Sequence, residues 1–305
     1  MASEWFNFVG LAFLLLNVFD YINVSISHEE ISRVLLISLD GFRWDYIDMA
    51  NKKGCSTPNF QMLIDNGVLV TSPGNQNVFI TKTFPNHYSL VTGLYEESHG
   101  LVANEFYDPV FNETFTFHNQ DHIKWWNGTG TQRVEPIWLT NDAVGDEHHA
   151  SGVFFWPGSE VKGNQPKHFM WPYNESVPFS VRADTVAGWF IQESGPINFG
   201  VLYYHEPDAT GHKHGPDSVQ MVDMICTLDG YVGYLIKILK EKNIFDELNI
   251  ILTSDHGMTG TNEDVYIDDY VDSSLYTWYG GSPVANVLPK PGTVLFVLLL
   301  CHIMI

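Results

Sequence analysis

Three short segments of the chain combine aspartate with histidine in patterns that could hold metal ions. Asp208 and His212 are separated by three residues, whereas Asp255 and His256 are adjacent. Asp40 stands alone in the stretch Leu-Asp-Gly-Phe-Arg. Carboxylate oxygen and imidazole nitrogen are good zinc ligands, and a ligand set without thiolates is typical of a catalytic zinc site. Each segment taken singly has a simpler explanation as a turn, a helix cap or a hydrogen-bonded pair.

A fourth segment supplies a hydroxyl group that could act as a nucleophile. Thr83 precedes Phe84-Pro85, and the proline predicts that a helix begins near that point. A hydroxyl at a helix N-terminus lies in positive potential, which favours its alkoxide and a nearby phosphate group. A zinc ion bound to this oxygen would lower its pKa further. The alternative is a threonine that caps the helix and has no chemical role.

The strands predicted around these residues would bring the aspartates and histidines together at one edge of a sheet. Four apolar runs are typical of strands buried on both faces of a parallel sheet: 33–39, 151–156, 199–204 and 248–254. Apolar residues at spacings of three and four predict an amphipathic helix between Ser218 and Lys242. The sequence therefore predicts an α/β fold, with a doubly wound, mostly parallel sheet and helices on both faces. Because the three acidic segments follow three of these strands, we expect a shared metal site at their carboxyl ends.

The chain is strongly acidic, with a formal charge of −21 over 305 residues. This charge argues against binding to nucleic-acid duplexes or anionic membranes, because both would repel it. Phosphate esters remain possible substrates if metal ions supply the local positive charge. Thirteen histidines beside many aspartates make such metal binding available.

The N-terminus predicts entry into the secretory pathway. Residues 8–19 form an apolar run that is short for a membrane span, and we interpret residues 1–25 as a signal peptide. The alternative is a hydrophobic first strand or helix. Four glycosylation sequons agree with secretion, at Asn23, Asn112, Asn127 and Asn174. We therefore expect a secreted protein, or one on the extracellular face of the plasma membrane.

Three cysteines are too few for a disulfide framework. Cys55 and Cys226 either pair with each other or remain buried as free thiols, and the sequence leaves both possibilities open. The third is Cys301, near the end of the chain.

Together, these segments resemble the ectonucleotide pyrophosphatase/phosphodiesterase family of the alkaline-phosphatase superfamily. The resemblance runs from about Arg33 to Pro291 and is most specific in 77–100, 208–215 and 254–258. It implies that 33–291 form a partial phosphodiesterase catalytic domain, alkaline-phosphatase-like and incomplete at the C-terminus. It also implies a hydrolase that cleaves nucleotide pyrophosphate or phosphodiester bonds and releases a nucleoside monophosphate.

The resemblance implies two zinc ions and a threonine nucleophile. One zinc ion would be held by four residues, which are Asp40, Thr83, Asp255 and His256. The other would be held by Asp208, His212 and a later histidine. Thr83 would attack phosphorus to form a phospho-threonine intermediate, with the two metal ions bracketing the attacking and leaving oxygens.

The resemblance also assigns residues that bind the substrate. Asn104 would donate to a phosphate oxygen and so stabilise the developing charge. Phe84 and Tyr173 would sandwich the nucleobase, with Trp156 at the edge of the slot. The implied substrates are dinucleotide polyphosphates and nucleoside triphosphates. Without the resemblance, we would interpret the two stacking aromatics as ordinary core residues.

The C-terminal stretch departs from the family. Residues 292–305 are apolar but shorter than the ~20 residues that span hydrocarbon, and we interpret them as an alternative exon, a translated intron or a gene-model error. The resemblance suggests that a full-length form is anchored in the membrane. The histidine that completes the second zinc site is missing from this sequence, which leaves Asp208 and His212 without their third protein ligand. His214 and His302 are remote candidates to replace it.

Two other functions fit the sequence. The chain could be a catalytically silent secreted or surface isoform that acts by binding. It could also be a lipid phosphodiesterase of the same fold that cleaves choline esters. The aromatic pair of Phe84 and Tyr173, with Trp156 beside it, favours a nucleobase over choline.

Overall fold

The computed structural model describes residues 32–72, 74–117, 122–128, 134–262 and 264–294. The predicted signal peptide, Asn23 and Cys301 lie outside these ranges, as do His302 and the end of the 292–305 stretch. Within the described ranges, no helix has both the length and the apolar character that crossing a membrane requires.

The described residues form nine strands and eight α-helices. The strands are β1 (Arg33–Leu39), β2 (Glu105–Asp108), β3 (Glu113–Thr116), β4 (Ser151–Phe154), β5 (His168–Met170), β6 (Phe199–Tyr204), β7 (Leu248–Thr253), β8 (Tyr276–Gly281) and β9 (Val284–Pro289). The helices are α1 (Tyr46–Lys52), α2 (Pro58–Asp65), α3 (Thr83–Thr92), α4 (Glu96–His99), α5 (Ile137–Asp142), α6 (Phe179–Trp189), α7 (Asp208–His214) and α8 (Val219–Glu241). Short 3-10 turns cover Ile123–Trp126, Phe245–Glu247, Ile267–Asp269 and Ser273–Leu275.

Five parallel strands form the central sheet in the order β5-β4-β6-β1-β7. Two antiparallel hairpins, β2–β3 and β8–β9, lie outside it. The predicted mostly parallel α/β fold is therefore confirmed. β4 and β6 are buried along their whole length, as continuous apolar runs predict. β4 ends two residues earlier than predicted, because Phe155 adopts a positive φ of 66° and turns the chain out of the sheet.

The prediction that 248–254 is buried on both faces is wrong. β7 is an edge strand of the described sheet and pairs only with β1. Its alternate residues Asn249 and Ile251 are exposed, and Ile251 keeps 51% of its surface. An apolar run alone does not distinguish a central strand from an edge strand that is covered on one face.

Helices cover both faces of the sheet. Helix α8 begins after Ser218, whose hydroxyl accepts a hydrogen bond from the Met221 amide and so caps the helix. Its residues Val232 and Leu235 line the same apolar space as Ile37 and Leu39 of β1. Side chains alternate along a strand, so Ser38 points to the opposite face, where its hydroxyl meets His87 of α3.

Cys55, in the loop after α1, forms a disulfide with Cys226 of α8. This resolves the alternative left open by the sequence. The two residues are 171 positions apart, so the bond closes a long loop and restricts the unfolded chain strongly.

We expect the double variant Cys55→Ser/Cys226→Ser to lose about 2–5 kcal/mol of unfolding free energy, measured by urea denaturation. Thiol titration of the denatured, unreduced chain should detect only Cys301. Three titratable thiols, or an unchanged denaturation midpoint in the variant, would contradict the bond.

Candidate metal and active site

Hydrogen bonds tie together the three segments that follow β1, β6 and β7. The Asp208 amide donates to the Asp40 carbonyl at 2.9 Å, and the Gly41 amide donates to Asp255 Oδ1 at 3.1 Å. The Phe42 amide donates to Ser254 Oγ at 2.8 Å. As expected, the segments at the carboxyl ends of these strands lie together, and hydrogen bonds from backbone amides hold them there.

Gly41 permits the close approach of two of these segments. It has a φ of +68°, a conformation that glycine adopts without steric cost. A Cβ atom at this position would lie 2.9 Å from the Asp208 Cβ. A side chain here would therefore push Asp208 away from Asp40.

Three carboxylates and one imidazole converge at this edge of the sheet. His256 Nε2 lies 3.5 Å from Asp40 Oδ1 and 3.2 Å from Asp255 Oδ2. Ligand atoms of Asp40, Asp208 and His256 all lie within 4.8 Å of one another. One oxygen of each carboxylate is buried and accepts no hydrogen bond within the described ranges: Asp40 Oδ1, Asp208 Oδ1 and Asp255 Oδ2. Such oxygens need a partner, because an unpaired buried charge is costly.

The electrostatics of this cluster favour a cation. Burial raises the pKa of Asp40 well above its usual range, and repulsion from Asp255 and Asp208 raises it further. Burial also raises the pKa of Asp208, although His212 and His256 oppose the shift. A divalent ion would satisfy the free oxygens and cancel the repulsion. The donor set, of carboxylate oxygen and imidazole nitrogen, suits zinc.

These pKa shifts predict how the stability of the metal-free chain depends on pH. A carboxyl group with a raised folded pKa binds protons more tightly in the folded state, so its contribution to stability falls as pH rises above about 4. We expect the unfolding free energy of the metal-free chain to fall more steeply with pH than that of Asp208→Asn. Denaturation from about pH 4 to pH 7 with a chelator present measures both slopes, and titrations that the two chains share contribute equally to each. Parallel curves would contradict it.

Thr83 occupies the first residue of α3, as the sequence predicts for a helix that begins near Pro85. The N-cap is Lys82, and its side chain makes no capping hydrogen bond. The alternative of a capping threonine is therefore wrong, since the helix begins at Thr83 itself. The Thr83 side chain is half-buried, and its residue begins the helix, where the helix dipole is positive.

His87 links the start of α3 to the carboxylate cluster, and sequence reasoning missed it. Its Nδ1 lies 2.8 Å from the Thr83 carbonyl oxygen and 3.3 Å from Asp255 Oδ2, while its Nε2 lies 2.9 Å from Ser38 Oγ. A carbonyl can only accept, so Nδ1 carries the proton, and Nε2 accepts from the serine hydroxyl. Although His87 lies close enough to Asp40 and Asp255 for metal binding, both its nitrogens are engaged. His87 therefore packs between the first turn of α3 and Asp255, and the spacing of four from Thr83 could have revealed it.

Tyr203 is a second residue that the sequence did not single out. Its hydroxyl donates to Asp40 Oδ2 at 2.6 Å, so it fixes one carboxylate oxygen and leaves the other directed at the cluster. Its ring also packs edge-to-face on His87, with centroids 5.1 Å apart. Such outer hydrogen bonds orient metal-binding side chains.

Asn104 is held beside the start of α3. Its Oδ1 accepts a hydrogen bond from the Phe84 amide at 3.0 Å. That bond occupies the oxygen of the side-chain amide, so the NH₂ group is the part that remains available as a donor. Asn104 is half-buried, which allows a ligand to reach it.

The predicted aromatic residues differ in accessibility. Tyr173 is 41% exposed and packs against Phe155, with ring centroids 5.2 Å apart. Phe84 is half-buried in a cluster with Phe115, Phe117 and Trp126.

The prediction that Trp156 contacts the substrate is not supported. Its side chain is fully buried, and its indole Nε1 donates to the His87 carbonyl at 3.1 Å. The ring lies against His87, with centroids 4.7 Å apart, so it packs beneath the site. The sequence around a tryptophan next to a turn does not distinguish a residue that contacts the substrate from one that packs beneath the site.

Asp208 and His212 face each other on the short helix α7, with His212 Nε2 3.3 Å from Asp208 Oδ1. The His212 side chain is 75% exposed, so this pair lies on the open side of the cluster. His214 is also exposed, and no hydrogen bond or ion pair joins it to the cluster within the described ranges. His302 lies outside those ranges.

Comparison with known proteins places this arrangement in a family. The model of the type I phosphodiesterase/nucleotide pyrophosphatase family matches residues 34–298. The chain is 45% identical over 264 residues to human ectonucleotide pyrophosphatase/phosphodiesterase family member 5, and the match covers 85% of the chain and 52% of that relative. It is 43% identical over 263 residues to the human bis(5'-adenosyl)-triphosphatase ENPP4, covering 85% of the chain and 55% of the relative. The chain thus spans about half the length of these relatives.

Solved structures of related proteins share the fold. Human ectonucleotide pyrophosphatase/phosphodiesterase 5 has a TM-score of 0.79 at 44% identity, with 88% of this chain and 69% of that chain covered. An inactive threonine-to-alanine variant of the murine protein, in complex with AMP, has a TM-score of 0.77 at 44% identity, with coverage of 86% and 67%. The chain therefore belongs to the type I phosphodiesterase/nucleotide pyrophosphatase family, and its fold is that of the alkaline-phosphatase-like enzymes.

Proposed function

We propose that this protein is a zinc-dependent hydrolase of nucleotide pyrophosphate and phosphodiester bonds, with Thr83 as nucleophile. The observation that carries the proposal is a cluster of three carboxylates, each with a buried oxygen that accepts no hydrogen bond within the described ranges, joined through His87 to the start of α3. A cation site next to a hydroxyl at a helix N-terminus is suited to phosphoryl transfer. The names of the relatives, which are hydrolases of this bond class, support the same reaction.

The proposal assigns a zinc site to Asp40, Asp255, His256 and Thr83, and a second site to Asp208 and His212. When bound, zinc would supply positive charge for the phosphate oxygens and lower the pKa of the nucleophile. The proposal assigns two protein ligands from the described residues to the second site, and further ligands or water would complete its coordination.

The protein's own groups would carry out the substitution as follows. Thr83 Oγ attacks phosphorus as the bond to the leaving oxygen breaks, and its proton passes to the surrounding water. Asn104, oriented by the Phe84 amide, donates its NH₂ group to a phosphate oxygen and stabilises the charge as it develops. Water then cleaves the phospho-threonine, which restores the hydroxyl and releases a nucleoside monophosphate.

We propose a nucleobase as the group recognised beside the reacting phosphate, with dinucleotide polyphosphates and nucleoside triphosphates as substrates. The exposed ring of Tyr173 and the half-buried ring of Phe84 are available for stacking. The AMP bound to the murine relative and the name of the ENPP4 relative support this assignment.

We also propose that the protein passes through the secretory pathway to the cell exterior or cell surface. The Cys55–Cys226 disulfide supports an oxidising compartment. Three sequon asparagines are exposed and so accessible to glycosylation, namely Asn112, Asn127 and Asn174. Shifts in electrophoretic mobility after glycosidase treatment would test this route, and a secreted chain without glycans would count against the sequons.

The test of the proposed activity compares two substrates on the full chain with zinc present. A dinucleotide polyphosphate should yield a nucleoside monophosphate, whereas a choline phosphodiester should not be cleaved. Preference for the choline ester would support the lipid phosphodiesterase alternative. A folded chain that binds zinc and cleaves neither would favour the silent isoform.

A further inference from the structure

Arg182 of α6 is a charged side chain with no exposed surface. No carboxylate within the described ranges lies at ion-pair distance from it. Its donors reach backbone carbonyls, with Nε donating to Val177 at 3.1 Å and Nη1 to Tyr203 at 2.8 Å. Nη2 donates to Glu175 at 3.2 Å and Asn174 at 3.4 Å. Burying an arginine without a carboxylate partner is costly, which suggests that the contacts it makes are needed.

Three of these four carbonyls belong to the segment that follows Tyr173. Asn174, Glu175 and Val177 lie in a stretch without helix or strand, and the Asn174 side chain accepts from the Ser176 amide at 3.0 Å. This stretch is otherwise exposed, so little apolar burial fixes its path. The guanidinium therefore anchors the backbone that carries the Tyr173 ring.

Arg182 also reaches Tyr173 through a second aromatic ring. Its guanidinium carbon lies 5.1 Å from the centroid of Phe155, and the Phe155 ring packs edge-to-face on Tyr173 at 5.2 Å. Phe155 holds a positive φ of 66°, which is unfavourable for a bulky side chain and persists only where the surroundings determine it. Backbone and ring contacts from one arginine thus converge on the same tyrosine.

Two further contacts of Arg182 reach the strand beside the metal cluster: a hydrogen bond to Tyr203, and an approach of the guanidinium carbon to within 4.9 Å of the Tyr204 ring centroid. Arg182 Nη1 holds the carbonyl of Tyr203, and the Tyr203 hydroxyl donates to Asp40. One guanidinium therefore fixes the position of the Tyr173 ring relative to the carboxylates. That relation determines whether a base and its 5'-phosphate can be bound at the same time.

We propose that Arg182 is a positioning residue for nucleotide recognition, which fixes the Tyr173 ring at the distance from the metal cluster that a nucleoside 5'-phosphate requires. The proposal rests on the proposed function, in which Tyr173 stacks on the base. Lysine cannot replace this arginine, because one ammonium does not offer a planar set of five donors to carbonyls on several sides.

The test measures the binding of AMP and of inorganic phosphate to the full, zinc-loaded chain by calorimetry. In Arg182→Lys we expect AMP to bind about tenfold more weakly, as for the loss of one stacking contact, while phosphate binding is unchanged. Tyr173→Ala should give the same selective loss, and the double variant should lose no more than either single variant. Arg33→Lys, the same change in an exposed ion pair with Glu247, serves as the matched control and should bind both ligands normally.

Other outcomes would overturn the proposal. The proposal fails if Arg182→Lys weakens the binding of AMP and of phosphate equally. It also fails if the losses are additive in the double variant, or if the parent chain binds AMP no more tightly than phosphate. If Arg182→Lys does not fold, Phe155→Leu removes the bridging ring and must show the selective loss of AMP binding instead. Absence of hydrolysis with selective AMP binding intact would refute the proposed activity and leave this inference standing.

Discussion

Thr83→Ala is expected to reduce hydrolysis of a nucleotide phosphodiester by at least about a thousandfold, as removal of a covalent nucleophile does in other enzymes. Thr83 is the first residue of α3, and the helix cap is Lys82. The lost hydroxyl is therefore not a helix cap, so the variant should keep the thermal stability of the parent. Its binding of a nucleoside monophosphate should also survive, because Asp40, Asp255 and His256 still hold that zinc ion and the base contacts remain.

The measurement is turnover of a chromogenic nucleotide ester, with two companion variants. Thr83→Ser keeps a hydroxyl on the same backbone position and should retain part of the activity. Thr81→Ala removes a nearby hydroxyl that accepts from the Asn77 side chain, and it should leave turnover unchanged. Full activity in Thr83→Ala would exclude the threonine as nucleophile. An equal loss of turnover in Thr81→Ala would show that any substitution near the start of α3 reduces activity.

Much of the fold could be predicted because its signals are local. The runs 33–39 and 199–204 are strands at the predicted bounds, and α8 begins after Ser218 and ends before Lys242 as its spacing indicates. The exposure of β7 could not be predicted, because it depends on which strand lies beside it in the sheet. The end of β4 at Phe154 depends on the backbone of Phe155, which apolar character does not report.

The candidate site likewise contains residues that a local pattern predicts and residues that depend on tertiary contacts. Asp40, Asp208, Asp255 and His256 could be predicted to meet, because parallel strands place their carboxyl ends along one edge. Tyr203 acts through a contact between elements distant in sequence, so no local pattern marks it. The spacing of four places His87 beside Thr83, but its contact with Asp255 is again between distant segments. The burial of Trp156 follows from its packing against His87, which is likewise a tertiary contact.

Asp40→Asn is expected to abolish metal-dependent activity and to have the opposite effect on the metal-free chain. Burial raises the pKa of Asp40, and repulsion from Asp255 and Asp208 raises it further, so neutralising Asp40 relieves both costs when no cation is bound. An asparagine oxygen can still accept from the Tyr203 hydroxyl, which preserves the packing. We therefore expect metal-free Asp40→Asn to be at least as stable as the metal-free parent.

Adding zinc should raise the Tm of the parent chain more than that of Asp40→Asn. A ligand that binds only the folded state stabilises it by about 2.7 kcal/mol at a hundred times its Kd, so the parent should gain several degrees in Tm. Asp40→Asn should gain little, and its turnover should fall at least about a hundredfold, since outer contacts alone change metal-site function by that order. Glu247→Gln makes the same carboxylate-to-amide change in an exposed ion pair, whose loss costs little, and it should respond to zinc as the parent does.

The combination of both effects decides what Asp40 does. A residue that served only to accept from Tyr203 would, on replacement, lower the stability of the metal-free chain or leave it unchanged, and zinc would still stabilise the variant. Replacing a metal ligand leaves the stability of the metal-free chain at least unchanged and removes most of the stabilisation by zinc. Melting curves with zinc and with a chelator, read beside turnover, separate the two roles, because the rise in Tm on zinc binding survives in one case and is lost in the other.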